Sequence, residues 1–205
     1  MQRRSTILIA AMAAAALSAP AAAATLASAM TALNIRSGPG PQYSIIGAIP
    51  ERGQAAIIGC IQGSLWCEVN YNGRQGWVYS QYLTAQLSGR SLIVAEHLND
   101  VAPPATYQAP VETVGSAVEA PAVTGTLIAP APQPLVVAPP PSVGSYVVSH
   151  PVAPVYLHGE VVEGVGLPED VALAPIPGSD YEYAYVNNVP VLVEPSTRRV
   201  EYLYR

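Results

Sequence analysis

The sequence predicts a mainly β protein in three parts: a small barrel near the N-terminus, a long Pro/Ala-rich disordered linker, and a small C-terminal β-meander. Three observations carry this reading. Short apolar runs broken by Gly, Pro and Asn turns fill the block 25–87; prolines crowd the stretch 88–155; and alternating tyrosines reappear in the block 156–205. Short strands at close spacing with turn signals between them are the pattern of a β-barrel or sandwich.

Residues 1–24 follow the three-part logic of a secretory signal peptide. Arg3 and Arg4 open it, Ile7 to Leu17 is apolar, and Ala22–Ala24 supplies small residues for cleavage. The apolar run falls short of the about 20 residues a membrane helix needs, and Pro20 interrupts any extension. The expectation is a periplasmic or secreted chain, cleaved at or near Ala24, with no transmembrane span after cleavage. The formal net charge of −5 falls by two, to −7, once the two leader arginines are removed. The chain has no lysine and its arginines are scattered, so it lacks the basic patch that nucleic acid requires.

In the first block, Leu33 and Ile35 alternate with Asn34 and Arg36 as a half-buried strand, and Ser37–Pro41 forces a loop. Ile45–Ile49 forms a second strand ended by Pro50. A turn at Glu51–Gly53 leads into a third strand over Gln54–Ile61. A further turn at Gln62–Ser64 leads into Leu65–Tyr71, and Asn72-Gly73 predicts a type I′ hairpin into Gln75–Tyr79. Five strands this short must curl, since a flat sheet of that size leaves its apolar face uncovered. Cys60 and Cys67 are the only cysteines. In an oxidising compartment such a pair reads as a disulfide, and neither a CxxC motif nor a nearby histidine favours redox chemistry.

The residues L-N-I-R-S-G-P-G at 33–40, W-C-E-V-N-Y-N-G-R-Q-G-W-V at 66–78, and Tyr82-Leu83 resemble the bacterial SH3-like domain. The resemblance implies an SH3-like barrel that binds cell-wall peptide or glycan, with peptidoglycan or another envelope component as partner. The ligand-binding candidates are Asn34, Arg36, Tyr43, Trp77 and Tyr82. Amphipathic rings suit sugars and peptides, and Asn34 and Arg36 can offer hydrogen bonds or a contact to a carboxylate. Trp66 and Tyr71 are expected inside the barrel.

Pro103-Pro104, Pro130, Pro132, Pro134, Pro139–Pro141, Pro151 and Pro154 punctuate the linker, so no long helix or central strand runs through it. Ser91–Asp100 fits either a helical stripe or an extension of the barrel's last strand. In the C-terminal block, Val171–Ile176, Tyr181–Val186, Val189–Val193 and Val200–Tyr204 read as strands, with turns at Pro177-Gly178, Asn187-Asn188 and Glu194–Thr197. Tyr181, Tyr183 and Tyr185 fall on one face, which suits a protein partner. Arg198 and Arg199 are turn charges or an anion contact. This block resembles a C-terminal domain family of uncharacterised function in exported Gram-negative proteins.

Catalysis needs a nucleophile with its base, or converging metal ligands. The thiols are committed to each other, and His97, His150 and His158 lie in or beside the linker without ligand spacing. No enzyme activity, no cofactor and no metal site are expected. The runner-up to wall binding is an envelope protein–protein interaction or structural adaptor.

Overall fold

The computed structural model describes residues 24–108, 122–129 and 138–205, so the predicted leader, up to residue 23, lies outside the described residues. The N-terminal lobe carries β1 (Thr25–Ala29), β2 (Leu33–Arg36), β3 (Ile45–Ile49), β4 (Gln54–Ile61), β5 (Trp66–Tyr71), β6 (Arg74–Tyr79), β7 (Leu83–Leu87) and β8 (Arg90–Ile93). A short helix α1 (Leu98–Val101) and the two-residue strand β9 (Pro104–Ala105) follow. Then come β10 (Val123–Thr126), α2 (Pro141–Ser149), β11 (Tyr156–His158), β12 (Ala174–Pro175), β13 (Glu182–Val186), β14 (Val189–Glu194) and β15 (Arg199–Leu203).

The N-terminal strands pair in the order β3-β2-β6-β5-β4-β1-β7-β8. The sheet does not close on itself: among the described residues no ladder joins β3 to β8, and β2 meets β6 only at Arg36 and Trp77. Gly76 makes that crossing possible, because a Cβ there would strike Ile35 and the Arg36 carbonyl. The Asn72-Gly73 turn has positive φ at both residues, 51° and 82°, as a type I′ hairpin demands. Asn70 Oδ1 accepts a bond from the Gly73 amide across it. Cys60 lies opposite Cys67 in the β4–β5 register and the two are bridged.

In the C-terminal lobe, β12-β13-β14-β15 form an antiparallel meander whose central turn, Asn187-Asn188, also has positive φ at both residues. Its faces divide as the alternation requires. Ala184, Val186, Val189, Val191, Val193, Val200 and Leu203 join one continuous core with Leu33, Ile35, Val69 and Leu83 of the first lobe. Tyr183, Leu192 and Ile176 face the other way and pack on Val147 of α2.

The stretch read as a linker carries order where it touches the lobes. Ser91–Asp100 adopts both readings in turn, first β8 and then, after a 3₁₀ turn, α1. β9 adds to β4 in parallel beside the disulfide, and β10 pairs with β11. Helix α2 begins with proline at its first position and contains Gly144 and three valines, poor intrinsic helix formers. The tyrosine face holds it: the Tyr183 hydroxyl donates to the His150 carbonyl at 2.6 Å and that of Tyr185 to the Val147 carbonyl at 3.1 Å. A proline-poor stretch of the linker thus covers the surface expected to await a partner.

Two outcomes test this architecture. The Cys60→Ala/Cys67→Ala variant should lose about 2.5 kcal/mol in a denaturant titration, the chain-entropy value for a loop of about eight residues. Amide exchange should find the last turn of α2 protected in the wild type, with Val147→Ala abolishing that protection while the β5–β6 hairpin stays slow.

Candidate ligand-binding site

Strand β2 and the loop after it meet the C-terminal lobe at a buried polar cluster. Asn34 and Arg36 stand two residues apart on β2, and each is 0% exposed, as is Glu160 across the junction. Arg36 Nε donates to Glu160 Oε2 at 2.6 Å and its Nη2 to Oε1 at 2.8 Å, a two-pronged ion pair. Asn34 Nδ2 donates to Oε1 at 2.9 Å. Arg36 Nη1 turns back to the carbonyls of Pro41 and Tyr43, both at 2.9 Å, and reaches that of Asn187 at 3.1 Å. Asn187 fixes the incoming strand, accepting from the Leu157 amide and donating to the Leu157 and Gly159 carbonyls.

The structure therefore does not leave Asn34 and Arg36 on a solvated surface. The other three candidates also differ in setting. Trp77 and Tyr82 are buried, at 4% and 8% exposure, while Tyr43 is half-buried. Tyr107, just beyond β9, packs edge-on against both Tyr43 and Trp77, with ring centroids 5.5 and 5.6 Å apart. Sequence reasoning missed Tyr107, since nothing in a proline-rich stretch marks which ring folds back. It missed Glu160 and Asn187 as well. The only local sign was an acid set among valines, Gly159-Glu160-Val161-Val162.

A second aromatic group, Trp66, Tyr79 and Tyr82, lies beside this cluster, with centroid separations of 5.4 Å for the first pair and 6.2 Å for the second. Trp66 and Tyr79 wall a cavity of about 440 Å³ at the junction, completed by the Gly63–Leu65 turn, Leu98 of α1, and His158 and Gly159. Volumes of this order suit one sugar residue or a short peptide, and aromatic walls with a few polar groups are the usual composition of a ligand pocket. Trp66 is buried as expected, with an edge on the cavity, and Tyr71 is half-buried. Burial raises the Tyr79 phenol above the usual tyrosine range.

Arg198 and Arg199 are not free turn charges. The Arg198 guanidinium donates to the carbonyls of Pro168 and Val171, and that of Arg199 to the carbonyl of Gly164. Among the described residues no group of three or more His, Cys, Asp and Glu side chains converges as metal ligands, and no helix is long and apolar enough to cross a membrane.

Residues 31–84, which hold β2 to β6 and both aromatic groups except Tyr107, match the profile of the bacterial SH3 domain. This part of the chain is a bacterial SH3 domain. Residues 146–205, from the middle of α2 to Arg205, match the Domain of unknown function (DUF1236). Over 61 residues the chain is 39% identical to a protein of Bacillus subtilis (strain 168) named "Putative N-acetylmuramoyl-L-alanine amidase YrvJ". That stretch is 30% of this chain and 11% of the Bacillus protein, so the chain spans only a small part of its relative. The Arg36–Glu160 contact thus joins the SH3 domain to the domain of unknown function.

Burial, with smaller contributions from Tyr79 and the Glu160 carboxylate, pushes the Tyr82 phenol up to about 12. Between about pH 10 and 12 this phenol keeps its proton in the folded chain and loses it in the unfolded one. The stability it contributes is complete below about pH 10 and disappears as pH rises through about 12. Denaturant titrations across that window should show the decline, and Tyr82→Phe should make it shallower; an unchanged slope would show that Tyr82 does not titrate late.

Proposed function

We propose that the chain is a non-catalytic cell-envelope binding protein, periplasmic or secreted, whose SH3 domain binds cell-wall peptide or glycan. The observation that carries this reading is the match of residues 31–84 to the bacterial SH3 domain, supported by the likeness to a protein named "Putative N-acetylmuramoyl-L-alanine amidase YrvJ". The non-catalytic reading is supported by the bridging of both thiols and by the match of residues 31–84 to the bacterial SH3 domain.

The cavity between Tyr79 and His158 is the concave place for such a ligand. An apolar sugar face or a peptide side chain would lie against Tyr79 and the edge of Trp66, and the His158 ring and the Gly63–Leu65 backbone would meet its polar groups. Asn34, Arg36, Trp77 and Tyr82 serve in this reading as the frame that shapes the site from behind, and Tyr43 with Tyr107 as an outer rim. A second reading, an interaction adaptor without wall binding, is favoured by one observation: the face bearing Asn34 and Arg36 already contacts a protein surface, that of the C-terminal lobe.

Sedimentation of the full chain with purified peptidoglycan separates the two. Wall binding predicts co-sedimentation, weakened about tenfold by Tyr79→Ala or His158→Ala, equivalent to about 1.4 kcal/mol each, and changed less than about twofold by Tyr43→Ala. A folded wild-type chain that stays in the supernatant supports the adaptor.

A further inference from the structure

We propose that Asn34 and Arg36 form a carboxylate receptor on the SH3 domain, and that the domain of unknown function is its tethered ligand, presented through Glu160. The inference concerns the junction itself and does not depend on wall binding.

The argument starts from the donors of Arg36. A guanidinium has five N–H groups in one plane. Nη1 directs its hydrogens to the Pro41 and Tyr43 carbonyls, both in the SH3 domain's own loop. Together with the Asn187 carbonyl of the other lobe at 3.1 Å, that loop fixes the plane of the guanidinium. The opposite edge, Nε with Nη2, is then aimed outward as the fork that matches two carboxylate oxygens. Asn34, on the same face of β2, adds a third donor to the same target. The donors of the receptor thus belong to the SH3 domain, and the C-terminal lobe supplies the carboxylate together with the Asn187 carbonyl that accepts from Arg36 and the Arg205 guanidinium that donates to Asn34.

Glu160 meets that receptor with both oxygens, and its Oε1 also accepts from the Val161 amide at 3.2 Å. Neither charge is exposed, so each would be a costly buried ion without the other. The contact is also more than a single pair. Arg205 Nε donates to Asn34 Oδ1 at 3.1 Å and its Nη2 to the Ala32 carbonyl at 3.0 Å, while Asn188 Nδ2 reaches the Gln42 carbonyl at 3.3 Å. With the Asn187 backbone carbonyl accepting from Arg36, three side chains and one carbonyl of the C-terminal lobe address the strand and loop from Ala32 to Tyr43. The surface fits an acidic residue at the start of an extended apolar segment, which is what Glu160-Val161-Val162 supplies. It follows that an outside carboxylate meets the receptor only where Glu160 has left it.

Chemical rescue tests this in the full chain. Glu160→Ala removes the carboxylate and keeps the receptor, so its melting midpoint should fall by about 10 °C, and exchange should accelerate over Leu33–Arg36 and Val155–Gly164. Sodium acetate should raise the midpoint in a concentration-dependent way and slow exchange at both segments by tenfold or more, relative to sodium chloride at equal ionic strength and pH. Wild type, and an Arg36→Leu/Glu160→Ala variant that lacks the fork, should show no such acetate response. If Glu160→Ala does not fold alone, its refolding yield in acetate against chloride becomes the readout, with the same expectation. Exchange at the wild-type rate in Glu160→Ala, or an equal response to acetate and chloride, would overturn the receptor and leave Glu160 a packing role.

Discussion

Everything in this molecule is organised around one buried ion pair. Taking a guanidinium and a carboxylate out of water costs several kcal/mol each, and only good geometry with further hydrogen bonds offsets it. Arg36 and Glu160 meet both conditions: the pair is two-pronged and each partner has additional bonds to Asn34, to loop carbonyls or to backbone. The stringency of that arrangement is its use. A purely apolar seam of valines would tolerate sliding by one residue, whereas a buried charge that loses its partner by such a slip makes the alternative register expensive. The pair fixes how the two lobes meet, and the continuous apolar core beneath supplies the attraction.

The tyrosine face shows the same division of labour on a smaller scale. Val147 and Ile176 bury surface there, while the hydroxyls of Tyr183 and Tyr185 find the carbonyls at the end of α2. Those carbonyls have no partners within so short a helix. The phenols therefore satisfy groups that would otherwise need water, and a segment with poor helical propensity becomes a helix because of where it lies.

What the sequence made legible follows from which signals are local. The strand at Leu33–Arg36, the Asn72-Gly73 hairpin, the tyrosine alternation and the Cys60–Cys67 pair all depend on neighbours within a few residues, and all are found in the structure, but the strand is buried on both faces and not half-buried as its alternation implied. β1 was hidden because Thr25–Ala29 reads as the tail of an alanine-rich leader, yet it pairs on both sides, with β4 and β7. α2 was hidden because its stability comes from the face it covers. At the candidate site, a carboxylate contact for Arg36 was legible from residue type alone. The identity of that carboxylate was not, because one glutamate looks like another until the fold places it. The same holds for the burial of Trp77 and Tyr82, which depends on Tyr107 and on the second lobe.

The junction also has a place in time. Arg36 and Glu160 are 124 residues apart and Arg205 lies 173 from Ala32, while the bridged cysteines are separated by seven. In chain entropy the longer closure costs only about 2.5 kcal/mol more than the short one, but it must wait for the chain to be made. Ribosomes deliver about 5–20 residues per second, N-terminus first, so the strand bearing Arg36 exists for roughly 6–25 s before Glu160 has been synthesised. A polypeptide stopped anywhere between these two residues keeps that condition permanently. A chain that ends before residue 160 therefore presents Arg36 without the carboxylate that pairs with it in the full-length protein.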